Sequence, residues 1–168
     1  NQHDVFEFFE AFMDRARAGE IEAGRRGSWH GVQLTYRVAT HVERIFGFVH
    51  ETRRRCKECR GPVQSWFSSE CVLRVPSREM PGGPLTVSDM HFASCAPEDQ
   101  ERYCSHCKKN TTQDSQTRML TAPNVLVVQV RRVAGVRVPV AVEEQLDVPG
   151  LPTMELIGVV YHNGVSLD

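Results

Sequence analysis

Six cysteines carry the most specific chemical signal in this sequence: Cys56, Cys59, Cys71, Cys95, Cys104 and Cys107. Four of them form two C-x-x-C pairs, Cys56-Lys57-Glu58-Cys59 and Cys104-Ser105-His106-Cys107. A two-residue spacer turns both thiolates of a pair toward one ion. Tetrahedral zinc then needs a second such pair from elsewhere in the fold. The expected cofactor is therefore Zn2+ held by Cys56, Cys59, Cys104 and Cys107. A closed four-sulfur site leaves no open position for water, so its role would be structural. Gly61 and Asn110 follow the two pairs closely and suit tight knuckle turns. A redox role for C-x-x-C finds no βαβ context here. The bland alternative is that the cysteines are merely buried. Cys71 falls on the apolar face of its strand and reads as core, Cys95 stays open, and His106 lies where it could replace one sulfur.

The elements that must position these thiols are legible in part. Val5, Phe8, Phe9, Phe12, Met13 and Ala16 recur at helical spacing, which predicts an amphipathic helix over 4–18. Asp4 and Glu7 resemble a capping box, and Gly19 is a plausible stop, although Glu20 to Ala23 could add a turn. Residues 24–40 read as a Gly/Arg-rich loop. From His41 the pattern changes to short strands, with Val42, Arg44, Phe46 and Phe48 alternating with Ile45 and Val49. Phe67, Ser69, Cys71, Leu73 and Val75 share one face of a later strand that ends at Pro76. Residues 76–84 form a loop, and Met90, Phe92 and Tyr103 are expected near the second knuckle. Thr117 to Leu120 reads as a strand returning from that knuckle. Val125 to Val130 is a nearly unbroken apolar run, as in a strand buried on both faces. Val136 to Val142 and Met154 to Tyr161 read as further strands. A helix followed by mostly antiparallel strands predicts an α+β fold.

Composition is that of a globular chain: 168 residues, 40% hydrophobic and 24% charged, with a net charge of -1. No apolar run reaches the roughly 18 residues a membrane span needs, and no bulk field points to nucleic acid. The basic cluster Arg53, Arg54, Arg55, Lys57 and Arg60 flanks the first knuckle, but Glu51 and Glu58 interrupt it, so it reads as a solvated charged face. Neither a nucleic-acid nor a membrane partner is expected. Unpaired C-x-x-C thiols without a secretory signal imply a reducing compartment, cytoplasm or nucleus.

Four segments, in order, resemble the ubiquitin-specific protease family of peptidase C19. Gln2-His3-Asp4-Val5-Phe6-Glu7-Phe8-Phe9 is similar to its Q-Q-D-A-x-E-F-L helix start. Phe46-Gly47, the first knuckle and Leu73-Arg74-Val75-Pro76 form the second. Cys104-x-x-Cys107, with Ala122-Pro123-Asn124-Val125-Leu126-Val127-Val128-Gln129-Val130-Arg131-Arg132-Val133, is similar to its L-P-x-V-L-x-x-x-L-K-R-F strand. Glu155 to Gly164 resembles the Y-x-L-x-A-V-x-x-H-x-G stretch.

The resemblance implies a papain-like fold of thumb, palm and fingers. Residues 1–40 would belong to the thumb, 41–121 to zinc-ribbon fingers and 122–168 to the palm. It implies a thiol-dependent ubiquitinyl hydrolase, cutting after the C-terminal glycine of ubiquitin, with ubiquitin and ubiquitinated proteins as partners. Gln2 and Asp4 match positions that face ubiquitin's arginine-rich tail, where a carboxylate can take Arg bidentately. Asp4 can equally cap its own helix. The family's nucleophile box and its G-H-Y histidine match nothing between Asn1 and Asp168. None of the six cysteines is assigned as nucleophile, and His162 matches the structural His of H-x-G. The expected catalytic set within these residues is empty. A catalytically dead ubiquitin-binding module, or a pseudoenzyme, is the alternative reading.

Overall fold

The computed structural model describes residues 5–22, 40–59, 61–77, 85–132 and 139–160. Helix α1 (Val5–Glu22) runs a turn past Gly19. Helix α2 (His41–Phe46) replaces the strand expected there. Its start is a capping box: the Thr40 amide donates to the Glu43 carboxylate at 3.0 Å. Val42, Ile45 and Phe46 satisfy helical spacing as well as alternation over so short a stretch. The Gly47 amide closes the helix on the Glu43 carbonyl at 3.0 Å.

The centre of the fold is an antiparallel sheet in the order β2-β1-β6-β5. Its strands are β1 (Phe48–Cys56), β2 (Gln64–Glu70), β5 (Glu98–Cys104) and β6 (Lys109–Met119). Between β2 and β5 come β3 (Leu73–Ser77), β4 (Leu85–Thr86) and helix α3 (Val87–Cys95). After β6 come β7 (Val128–Arg132), β8 (Val140–Ala141), β9 (Gln145–Leu146) and β10 (Met154–Glu155). Strands β3 and β7 pair in parallel, as do β4 and β8, while β9 and β10 pair antiparallel. The mixed α+β class holds, with an antiparallel main sheet.

Several expectations need correction. The strand thought to run through Cys71 breaks at Cys71 and Val72 into β2 and β3, and Pro76 lies within β3. Phe67, on β2, is exposed because that strand is a sheet edge with little packed on it. The apolar run at Val125 becomes a strand only at Val128. It is half-buried, because it pairs with β3 alone. Met154 to Tyr161 is a strand only at Met154–Glu155; residues 156–160 are exposed, and Tyr161 lies outside the described residues. Of the Val136 to Val142 strand, only Val140–Ala141 is seen, residues 136–138 being outside the description. The Gly/Arg-rich stretch 24–39 is also outside it.

Two apolar clusters hold the fold. The first gathers Phe48, Leu73, Val75, Leu85, Met90, Met119 and Val148. The second joins Met13 to Val42, Cys71 and Val72, with Phe6, Phe9, Ala16 and Phe46 against them. Phe9 meets Phe46 edge-on at 5.5 Å. Met90 is therefore core rather than a neighbour of the second knuckle, and Phe92 and Tyr103 are exposed. The helix that carries Met90 is short and shows no apolar stripe in the sequence; a capping box sets its start, in which the Thr86 hydroxyl accepts from the Asp89 amide at 3.0 Å and the Asp89 carboxylate accepts from the Thr86 amide at 3.2 Å.

Candidate metal centre

Strand register brings the two knuckles together. Strand β6 lies between β1 and β5, with Cys56 opposite Gln113 and Cys104 opposite Lys109. Both flanking strands thus end at the same end of β6. The sulfurs of Cys56, Cys59, Cys104 and Cys107 all lie within 4.8 Å of one another. Cys56 Sγ is 3.9 Å from Cys107 Sγ, and Cys59 Sγ is 3.8 Å from Cys104 Sγ. Sulfurs on a tetrahedral zinc, each about 2.3 Å from the ion, stand about 3.8 Å apart. A disulfide would need about 2.05 Å, and all six cysteines are free. The four expected residues therefore form a cluster that fits a divalent ion. His106 is not in the group, and Cys71 lies in the second apolar cluster.

Backbone geometry explains the convergence. The Lys57 amide donates to the Thr112 carbonyl at 3.0 Å, fixing the first knuckle to β6. The Lys108 amide donates to the Cys104 carbonyl at 2.7 Å, and the Cys107 amide approaches Cys104 Sγ at 3.5 Å. The second turn closes through Lys108, whose φ is 57°. Asn110, expected to serve that turn, is already in β6. Gly61 is placed as expected beside the first knuckle: a Cβ there would meet Cys59 Sγ at 3.3 Å.

The electrostatics are those of thiols crowded without a counter-charge. The Thr111 hydroxyl, 3.3 Å from Cys56 Sγ, lowers that thiol to about 6, aided by the Cys59 and Glu58 amides against burial. Cys107 is pushed up to about 12 by its contact with Cys59, then by burial and by Cys104 and Cys56. Four thiolates so close cannot all ionise alone; a bound cation would replace the protons they hold. Thr111 left no trace in the sequence pattern, since only the β5–β6 and β1–β6 registers bring it to Cys56.

Around the tip the charges are paired. Lys109 Nζ meets Glu58 at 2.7 Å, and Lys57 Nζ meets Asp99 at 2.7 Å. Arg53 pairs with Glu51 at 2.9 Å, Arg118 binds the same carboxylate at 2.7 Å, and Arg54 stacks over Trp66 at 4.5 Å. The basic cluster is thus largely spent on contacts within the sheet; Arg60 lies outside the described residues. So do Gln2, Asp4 and His162. Among the described residues, no helix is long and apolar enough to cross a membrane.

The family described as "Ubiquitin carboxyl-terminal hydrolase" matches residues 1–168. A Schizosaccharomyces pombe protein named Ubiquitin carboxyl-terminal hydrolase 14 is 25% identical over 139 residues. That alignment takes in 78% of this chain and 16% of the relative. Among solved structures, a chain of the SAGA Ubp8/Sgf11/Sus1/Sgf73 DUB module bound to ubiquitin aldehyde superposes with a TM-score of 0.65 at 13% identity. It covers 86% of this chain and 32% of the other, which shows a shared fold. The chain thus spans about a sixth of the curated relative and a third of the structural one.

Proposed function

The chain belongs to the ubiquitin carboxyl-terminal hydrolase family, and from that premise we propose that it is the zinc-ribbon-bearing, ubiquitin-binding part of a cysteine-type deubiquitinase. The surrounding protein would hydrolyse the bond after ubiquitin's C-terminal glycine. The observation that carries this reading is the four-sulfur cluster at the end of the β1-β6-β5 sheet, within a chain that the family matches throughout.

In this reading residues 1–40 serve the thumb, 41–121 the fingers and 122–168 the palm. Cys56, Cys59, Cys104 and Cys107 would hold Zn2+. The ion would supply fold rather than chemistry, tying the β1 knuckle to the β5–β6 hairpin with no open coordination position. Ubiquitin is the proposed partner, with Gln2 and Asp4 proposed to meet its tail. A zinc cluster of thiolates suits a reducing compartment, and cytoplasm or nucleus is the proposed location.

The second reading, a ubiquitin-binding module without catalysis, is favoured by one observation. Among the described residues, four cysteines are committed to the cluster and Cys71 to the core, while burial raises the thiol of the sixth, Cys95, so none is placed as a nucleophile. Full-length protein assayed on a ubiquitin C-terminal amide fluorophore, together with ubiquitin binding by this chain, separates the two. Turnover supports the protease. Binding without turnover supports the module. Neither turnover nor binding overturns both.

A further inference from the structure

We propose that Thr111 of β6 is a positioning residue of the metal centre: its hydroxyl donates a hydrogen bond to the Cys56 thiolate once zinc is held, and so sets how tightly the four sulfurs retain the ion. The inference rests on the zinc reading of the cluster. Thr111 Oγ1 lies 3.3 Å from Cys56 Sγ. Both groups are buried, Thr111 being 3% exposed and Cys56 7%. Among the described residues this sulfur is the one partner of the hydroxyl. Without a metal, either atom can give the proton. A bound divalent ion displaces the thiol proton, so the sulfur can only accept and the hydroxyl must donate.

Strand register, rather than the knuckle itself, brings Thr111 to this sulfur. Cys56 pairs with Gln113 across β1 and β6, and Thr111 lies two residues from Gln113 on the same face of β6. Its side chain therefore stands at the end of β1, against the first knuckle. Branching at Cβ restricts its χ1, so the hydroxyl is aimed before any ion arrives. The next residue holds the same knuckle by its backbone, the Thr112 carbonyl accepting from the Lys57 amide at 3.0 Å. The Gln113 amide is taken up by the Arg102 and Tyr103 carbonyls of β5, each at 3.3 Å. Thr111 is thus, among the described residues, the one side chain besides the cysteines that hydrogen-bonds a cluster sulfur. Four thiolates on one divalent ion leave the cluster anionic, and the flanking cations Lys57 and Lys109 are paired with Asp99 and Glu58. A hydroxyl dipole donated to one sulfur offsets part of that charge among buried groups. Thr111 follows the second knuckle in the chain and grips a ligand of the first, so ion retention is tied to the pairing of β6 with β1.

The test is zinc competition against a chromophoric chelator of known affinity, using the full-length protein and its variants, together with the absorption of their cobalt(II)-loaded forms. Thr111→Val keeps the branched shape and removes the hydroxyl; it should weaken zinc binding by about 10–100-fold, the range for loss of an outer-shell partner. Thr111→Ser keeps the donor and should stay within about threefold of wild type. The thiolate-to-cobalt charge-transfer band should move to longer wavelength in Thr111→Val and not in Thr111→Ser, because a sulfur without its hydrogen bond gives up electron density more readily. Loss of packing alone would not move that band. If Thr111→Val does not fold, Thr111→Ala carries the same expectations. A loss of zinc affinity smaller than about tenfold, an unmoved band, or a serine variant as weak as the valine one overturns the role of Thr111. Wild-type protein that binds neither ion overturns the zinc reading, and this inference with it.

Discussion

Arg17 of α1 and Glu43 of α2 meet at 2.5 Å, with the carboxylate side chain only 3% exposed. Glu43 also accepts from the Thr40 amide and hydroxyl, and Arg17 reaches Cys71 Sγ at 3.0 Å. One ion pair thus joins the first helix to the cap of the second and to the break between β2 and β3. Removing the guanidinium would leave a buried carboxylate with only Thr40. Arg17→Ala is expected to cost about 3 kcal/mol, the low end for breaking a buried pair, because Arg17 itself keeps some water. Urea unfolding measures it; a loss under about 1 kcal/mol would place this pair with ordinary surface bridges.

The same carboxylate sets an acid limit. Burial pushes Glu43 up, but the Thr40 hydroxyl, Arg17 and the Thr40 amide together hold it below its ordinary value of 4.5. A group depressed in the folded state contributes stability that is full above its unfolded pKa and is lost as pH falls through the folded one. The contribution is therefore intact at pH 7 and disappears on acidification below 4.5. Glu43→Gln should be less stable at pH 7 and should show a flatter stability curve below that point. Parallel curves for the two proteins would remove Glu43 from the acid transition.

What the sequence revealed follows from how local each signal is. Two C-x-x-C spacings and the apolar stripe of α1 are complete within a few turns, so the four clustered cysteines and the first helix are readable. The helices at His41–Phe46 and Val87–Cys95 depend on the boxes Thr40 to Glu43 and Thr86 to Asp89, which short alternating or mixed patterns hide. Parallel pairing of β3 with β7 joins Leu73 to Val128, far apart in the chain, and nothing local announces it. Thr111 at Cys56, and Cys95 beside His91, likewise appear only once register and helix are known.

Metal removal should unfold the tip before the body. The four sulfurs belong to neither of the two clusters of buried apolar residues. Without an ion, crowded thiols hold protons and lose the cross-link between knuckles. A strong chelator should abolish amide-exchange protection at the Lys57 and Lys108 amides while those of Phe48 and Met90 stay protected. Cys104→Ser should reproduce this pattern. Loss of protection throughout would mean the tip and the body unfold as one unit; protection unchanged everywhere would mean the cluster holds no structural ion.

The outer face of α1 predicts how the isolated chain behaves. Phe8 is 70% exposed and Phe12 55% exposed, one turn apart, with Val5 beside them. The adjoining flank of the same stripe is spent on Met13, Phe6, Phe9 and Ala16, and Arg74 fastens the helix to β3 through Glu10 at 2.7 Å and the Phe6 ring at 5.4 Å. Exposed aromatics at this spacing form an adhesive stripe that contributes nothing to the chain's own core. Phe8→Glu with Phe12→Lys replaces the stripe by a helix-compatible i,i+4 ion pair. The double variant should raise the fraction of soluble monomer in sedimentation and change unfolding free energy by less than about 0.5 kcal/mol, as for surface positions generally. Met13→Ser, on the buried face, should instead destabilise by about 2–5 kcal/mol, as for a large core side chain cut back. If the Phe8 and Phe12 substitutions destabilise as much as Met13→Ser does, those rings pack within this chain and the exposed face assigned to α1 is wrong.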